Sequence, residues 1–209
     1  MNIVLYHYWR SSCSWRVRWA LALKGIVPEY VHVGLLDGEV EREPHRSRNP
    51  MGYVPALSLN GSMITESVAI LELLDELKPS PLLYSGDAFQ RAHIRALVET
   101  INAGTQPLQN LNTVDYFSND PQKRLDWMRH FIKIGLRAFE TLASKTSGDY
   151  CVGNHITAAD LCLIPQCYNA LRFNIDLSHE FKILWQIYQN AMATEHAQLT
   201  SPENFEPKP

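Results

Sequence analysis

Over roughly the first eighty residues the hydrophobic positions change period repeatedly, and beyond them they settle into long helical repeats. The run Ile3-Val4-Leu5-Tyr6 opens a β-rich stretch over residues 3–8. From about residue 13 to 24 the spacing becomes helical: Cys13, Val17, Ala20 and Leu21 share one face, and Gly25 suits the position just past the helix end. A second β-like run at residues 30–33 completes strand, helix and strand, which predicts a right-handed βαβ unit. Residues 49–55 read as a loop, since Pro50 and Pro55 each remove an N–H donor and bias the preceding residue toward extended backbone. Residues 56–59 and 62–64 flank Asn60-Gly61 as an antiparallel hairpin, because that pair accepts the positive φ of a tight turn. A helix starting near Glu66 carries Val68, Leu71 and Leu74 and stops before Pro79. The predicted order is β-α-β-(α)-β-β-α.

Past residue 87 the β signal vanishes. The Pro- and Ser-rich segment at residues 78–86 therefore marks a domain boundary, with an α/β domain over 1–80 and an all-helical domain over 87–209. Asp120-Pro121 supplies an N-cap and a first-turn proline for a helix bearing Leu125, Met128, Ile132, Leu136 and Phe139 at three- and four-residue spacing. Thr157-Ala158-Ala159-Asp160 is a capping box, with Ile156 and Leu161 as its hydrophobic staple, and the apolar run behind it predicts a buried helix. Residues 201–209, with three prolines and little apolar content, are expected to form a poorly ordered tail.

Composition narrows the partners. A net charge of −3 and a pI near 6.2, with lysines and arginines dispersed, give no basic stripe for a phosphate backbone, so nucleic acid is excluded as the expected partner. The start at Met1 is too short and uncharged for a signal peptide, and no apolar run approaches the ~20 residues of a membrane span. Cys13, Cys151, Cys162 and Cys167 form no CxxC pair and no disulfide framework, which predicts a soluble protein of the reducing cytosol. Asn60-Gly61-Ser62 matches a glycosylation sequon but is better explained by the hairpin. The eight histidines form no pair at metal-ligand spacing with the cysteines, so no metal is expected.

Ser11-Ser12-Cys13 carries the first candidate chemistry. It sits where a strand ends and a helix begins, so open backbone N–H groups and the positive end of the helix dipole converge on it. A thiolate would be stabilised there, since helix N-termini lower a thiol pKa from its reference of about 8.5. Cys13 is then a nucleophile, or the serine hydroxyls donate to the sulfur of a bound thiol, or Ser11 is only an N-cap. Val54-Pro55 at a strand start is a candidate cis peptide, although most X–Pro bonds are trans. Glu66-Ser67 at a helix start could hold the ammonium and carboxylate of a peptide, or simply cap the helix. Cys162 and Cys167 read as small core residues. Arg172 closes a helical region as a capping cation or as a carboxylate clamp.

The order and wording of these segments resemble the zeta class of glutathione transferases, the family of maleylacetoacetate and maleylpyruvate isomerases. Ser11-Ser12-Cys13-Ser14-Trp15-Arg16-Val17-Arg18 matches that class's signature string, and Asn49-Pro50-Met51, Val54-Pro55-Ala56-Leu57, Gln106-Pro107-Leu108-Gln109-Asn110-Leu111, Ala159-Asp160-Leu161-Cys162-Leu163 and Arg172-Phe173 extend the match along nearly the whole chain. The resemblance implies a thioredoxin-like N-terminal domain, an all-α C-terminal domain, a homodimer, and glutathione as cofactor. It implies that Ser11 hydrogen-bonds the glutathione sulfur with Ser12 and Cys13 in the same pocket, and that Val54 before a cis-Pro55 pairs with the cysteinyl part. Glu66 and Ser67 would hold the γ-glutamyl end, Gln106 and Asn110 would complete the glutathione site, and Arg172 would receive a substrate carboxylate.

The implied activity is glutathione-dependent cis–trans isomerisation of maleylacetoacetate to fumarylacetoacetate, in aromatic amino acid catabolism. Alternatives are maleylpyruvate isomerase, a general zeta-class transferase or dehalogenase, and a non-catalytic interaction module of the same fold. Two segments depart from the family pattern. Gly52-Tyr53 stands where many members carry a Lys-Gln pair, and residues 39–42 do not align with a glutamine that contacts glutathione elsewhere.

Overall fold

In a computed structural model, which describes residues 2–207, strand β1 (Ile3–His7) is followed by helix α1 (Ser12–Leu23) and strand β2 (Glu29–His32). A short helix α2 (His45–Arg48) precedes the hairpin of β3 (Ala56–Leu59) and β4 (Ser62–Thr65), and helix α3 (Ser67–Leu77) completes the expected order. The strands form one mixed sheet in the order β2-β1-β3-β4, with β1 parallel to β2 and antiparallel to β3, and β3 antiparallel to β4. Asn60 and Gly61 both take positive φ, 49° and 88°, as the Asn-Gly turn requires.

Helix α1 departs from its predicted single apolar face. Ser14 through Leu21 are all buried, Arg16 and Arg18 included, because the helix packs on α3 and on a helix from the end of the chain. Burying the two guanidiniums demands partners, and those partners turn out to be the segments that shape the site.

The chain divides into two compact units, one running to Leu83 and resuming at Thr194, the other spanning Tyr84–Ala193. The expectation of a helical domain extending to residue 209 is corrected here, because the chain returns to the first unit with helix α10 (Glu195–Thr200), which packs on α1. The expected disorder of residues 201–209 is corrected likewise over the described part. Pro202–Phe205 forms a 3₁₀ turn with Pro202 buried and Phe205 against the rings of His7 and Tyr30. Low apolar content hid this, since a few well-placed contacts order a short segment that no periodic pattern announces.

Within the first unit, Lys24 at the end of α1 is fully buried and pairs with Asp75 of α3 at 2.6 Å. Its ammonium also donates to the Pro81 carbonyl, and the same Asp75 oxygen accepts the Leu83 N–H at 2.8 Å, so one ion pair ties α1, α3 and the outgoing linker.

The second unit contains α4 (Ala88–Asn102), α5 (Leu111–Phe117), α6 (Pro121–Ala143), α7 (Ala158–Arg172), α8 (Leu177–Glu180) and α9 (Lys182–Met192). Asp87 caps α4 by accepting from the Phe89 and Gln90 N–H groups, and Asp120 caps α6 with Pro121 in the first turn. Helix α7 is the core helix, buried at every residue from Ala158 to Cys167, where Cys162 and Cys167 act as packing. Its capping Asp160 is also buried and accepts from the Thr157 N–H and hydroxyl and from the Cys151 N–H. No helix among the described residues is long and apolar enough to cross a membrane.

Candidate active site

The register of the sheet decides which segments meet. Tyr6 pairs with Ala56 and Ala56 with Thr65, so these three residues form one row across β1, β3 and β4. The chain leaving β1 toward Ser11, the chain entering β3 through Val54-Pro55, and the chain leaving β4 into Glu66-Ser67 therefore all lie at the same end of the sheet. Seven of the predicted site residues come from these three segments.

Ser11 is the N-cap of α1, with extended backbone (φ −68°, ψ 123°), and its side chain accepts the Ser14 N–H at 3.2 Å. The capping reading is thus correct, and it leaves the hydroxyl proton to be donated outward. The Ser12 and Cys13 N–H groups belong to the first turn, where the helix offers no acceptor of its own. No acidic residue stands in that turn to oppose a negative charge. Ser12 is buried and Cys13 half-buried. Two hydrogen bonds hold the turn through Tyr8, whose carbonyl accepts the Ser11 N–H at 3.1 Å and whose N–H donates to Ser14 Oγ at 3.4 Å.

Tyr8 also packs in one apolar cluster with Val33, Val40 and Val54, which brings the loop before β3 against the turn before α1. The Val54–Pro55 bond is cis, as the resemblance implies. The Tyr53 carbonyl accepts from His45 Nε2 at 2.9 Å and Asn49 Nδ2 at 3.0 Å, which fixes the loop. No hydrogen bond among the described residues takes up the backbone N–H or C=O of Val54, so both are available to an extended ligand backbone, in the manner of an added strand. Gly52 explains one departure from the family wording: its φ is +67° and a Cβ would come within 2.9 Å of the Val40 carbonyl. Side chains other than glycine are strained there.

Glu66 has φ +66° and ψ 115°, a strained conformation for a non-glycine residue, and its side chain makes no capping bond to α3. Helix capping therefore does not account for it; the exposed carboxylate projects from the helix start. Ser67 is buried, and its Oγ accepts from Arg16 Nη1 at 3.1 Å. The segment at residues 39–42 is a 3₁₀ turn over Glu39–Glu41, with the Glu39 carboxylate turned inward onto the Gly34 N–H at 2.7 Å.

Gln106, Asn110 and Arg172 belong to the second unit. Gln106 opens the 3₁₀ turn Gln106–Gln109, Asn110 is the N-cap of α5, and Arg172 is the exposed last residue of α7, with Nη1 donating to Asn169 Oδ1 at 3.2 Å. Two features register the turn. Gln109 and Gln166 exchange amide hydrogen bonds at 2.6 and 3.2 Å in the core, and Gly135 of α6 gives space to Thr105. Sequence reasoning singled out neither Arg16 nor Arg18, since a buried arginine leaves no periodic mark. It also passed over Arg10, a half-buried cation over the Trp9 ring at 5.0 Å, which adds positive charge next to Ser11.

A βαβ–ββα sheet with a cis-proline and an open helix N-terminus at one end defines a domain of the thioredoxin-like class. The comparisons agree with that class and sharpen it. A family model described as glutathione S-transferase, N-terminal domain, matches residues 5–82, and one described as glutathione S-transferase, C-terminal domain, matches residues 109–197. The chain belongs to the glutathione S-transferase family, in the zeta class that includes the maleylacetoacetate isomerases.

Maleylacetoacetate isomerase of Mus musculus is 42% identical over 201 residues, 95% of this chain and 92% of that protein. The crystal structure of maleylacetoacetate isomerase from Anaeromyxobacter dehalogenans 2CP-1 with glutathione bound in its active site superposes with a TM-score of 0.90 at 40% identity, covering 100% of this chain and 98% of that one. A holo structure of maleylpyruvate isomerase, a bacterial zeta-class enzyme, gives a TM-score of 0.91 at 32% identity over 95% of this chain and 96% of that one.

Proposed function

We propose that this protein is a glutathione-dependent isomerase that converts maleylacetoacetate to fumarylacetoacetate. The observation that carries the proposal is the Tyr6–Ala56–Thr65 row, which sets the Ser11 hydroxyl, the open Val54 backbone and the Glu66-Ser67 helix start at one end of the sheet. These groups fit the sulfur, the cysteinyl backbone and the γ-glutamyl end of glutathione. Ser11 would donate to the sulfur beside the open amides of Ser12 and Cys13, Val54 before Pro55 would pair with the cysteinyl backbone, and Glu66 with Ser67 would hold the γ-glutamyl ammonium and carboxylate. The family resemblance adds Gln106 and Asn110 as expected glutathione contacts.

Bound there, glutathione supplies a thiolate able to add reversibly to the cis double bond of a maleyl diacid, so that the trans isomer is released and the tripeptide is recovered. Ser11 and the α1 N-terminus hold negative charge at the sulfur, where fixed donors cost no reorganisation during the reaction. By the family resemblance Arg172, exposed at the end of α7, would receive a carboxylate of the diacid. The Cys13 thiol lines the same pocket. A homodimer acting in the cytosol on a small diacid rests on the family resemblance and on the free state of Cys13, Cys151, Cys162 and Cys167.

Supplying maleylacetoacetate and maleylpyruvate separately, with and without glutathione, tests this directly. A higher kcat/KM on maleylacetoacetate, abolished without glutathione, is the expected result. Preference for maleylpyruvate would move the assignment to the sister isomerase, and turnover of neither would sink it. Failure to bind glutathione in a calorimetric titration would leave the non-catalytic module as the reading.

A further inference from the structure

Arg18 is fully buried, and its guanidinium gathers acceptors from two stretches far apart in sequence. Nη2 donates to the Trp9 carbonyl at 2.9 Å and Nη1 to the Tyr8 carbonyl at 3.3 Å, while Nε donates to the Thr200 carbonyl at 3.1 Å. Nη1 also lies 3.2 Å from His7 Nδ1. Burial, with Arg18 and His32 nearby, pulls His7 down to about 3, so its imidazole is neutral and Nδ1 serves as an acceptor. The ring of Phe205 covers the guanidinium at 4.5 Å and meets His7 and Tyr30 edge-on at 5.4 and 4.9 Å. A second tie runs beside the first: Trp15 Nε1 donates to Thr200 Oγ1 at 3.2 Å, and that hydroxyl donates to the His196 carbonyl at 2.7 Å.

The Tyr8 carbonyl held by Arg18 is the same oxygen that accepts the Ser11 N–H. We propose that the chain-terminal segment from Thr194 to Phe205 is part of the thiol-activating site, with Arg18 as the positioning residue that fixes the Ser11 turn through the Tyr8 and Trp9 carbonyls. This rests on the reading of Ser11 as the sulfur contact. The C-terminal family match stops at residue 197, before Thr200 and Phe205. An arginine is required, because only its planar fork presents separated donors to several carbonyls at once. Its fork bridges the end of the chain to the two peptides before the cap. Loosening it lets the hydroxyl drift, and displacements of about 1 Å at a reacting centre cost up to about a hundredfold in rate.

The test uses the full chain with Phe205→Ala, Phe205→Tyr and Arg18→Lys, and reads the titration of the bound glutathione thiol by its thiolate absorbance, alongside steady-state turnover and melting temperature. Phe205 lies half-exposed near the end of the chain, so its variants keep the fold available if Arg18→Lys does not. In Phe205→Ala the bound thiol is expected to titrate roughly half a unit to one unit higher than in the parent, within the range by which helix N-termini tune thiols. Turnover at neutral pH falls roughly threefold to tenfold with it, and Phe205→Tyr restores both. A lower melting temperature with an unmoved thiol titration would show the tail to be merely structural and overturn the inference. Absence of glutathione binding to the parent chain would instead mark failure of the functional reading itself.

Discussion

Arg16 reaches from α1 to Ser67 at the start of α3, Nη1 to Oγ at 3.1 Å, with the arginine wholly shielded from solvent. The bond joins the helix that begins at the proposed thiol site to the helix start that would hold the γ-glutamyl carboxylate. A buried cation behind Ser67 also adds positive potential where that carboxylate would rest.

Replacing Ser67 with Ala removes the acceptor of a charged donor and one ligand contact together. Glutathione Kd is expected to rise by roughly tenfold to a hundredfold, since a hydrogen bond to a charged group contributes about 1.5–3 kcal/mol. Calorimetric titration of the variant measures this, and an unchanged Kd would remove Ser67 from the site.

Ser11→Ala separates capping from catalysis. Loss of the Ser14 N–H acceptor should lower stability by about 1 kcal/mol, readable from denaturant midpoints. Turnover is expected to fall much further, by about a hundredfold to a thousandfold, as when a donor to developing charge is removed. Near-parent turnover would transfer the sulfur contact to Ser12 or Cys13.

Arg172→Ala is expected to raise the KM for the diacid by roughly tenfold to a hundredfold while glutathione Kd stays put. Steady-state kinetics with each substrate varied in turn distinguishes the two. A rise in the KM for glutathione alone would contradict a role in binding the diacid.

Stability should depend on pH through His7. Its folded pKa lies near 3 against about 6.5 in the unfolded chain, so the unfolded state binds the extra proton and stability is lost as pH falls from 6.5 toward 3. Between pH 7 and pH 5 the loss is on the order of 2 kcal/mol from this residue. Chemical denaturation at both pH values, repeated on His7→Gln, reads it; an equal loss in the variant would assign the effect elsewhere.

Asp75→Asn breaks the buried pair with Lys24 and leaves an ammonium without its counter-charge. A destabilisation of about 3–5 kcal/mol is expected, measured as a fall in the denaturant midpoint. Turnover of the folded fraction should be unaffected, because the pair holds α1, α3 and the linker at Leu83 rather than the turn at Ser11.

The element order, the Asn60-Gly61 turn, the capped start of α1, and the chemistry expected at Ser11, Val54-Pro55 and Glu66-Ser67 were legible along the chain. These depend on local rules, since periodicity, turn residues and caps act over a few residues and are written contiguously. That these three segments share one end of the sheet was settled by long-range pairing, because the β1–β3 register joins residues about fifty positions apart. Packing in three dimensions alone settled that Arg16 and Arg18 are buried connectors, that Glu66 holds a strained φ, and that the segment expected to be a loose tail packs on His7. Each of these follows from desolvation and long-range pairing, which depend on what surrounds a side chain and leave no mark in its neighbours along the chain.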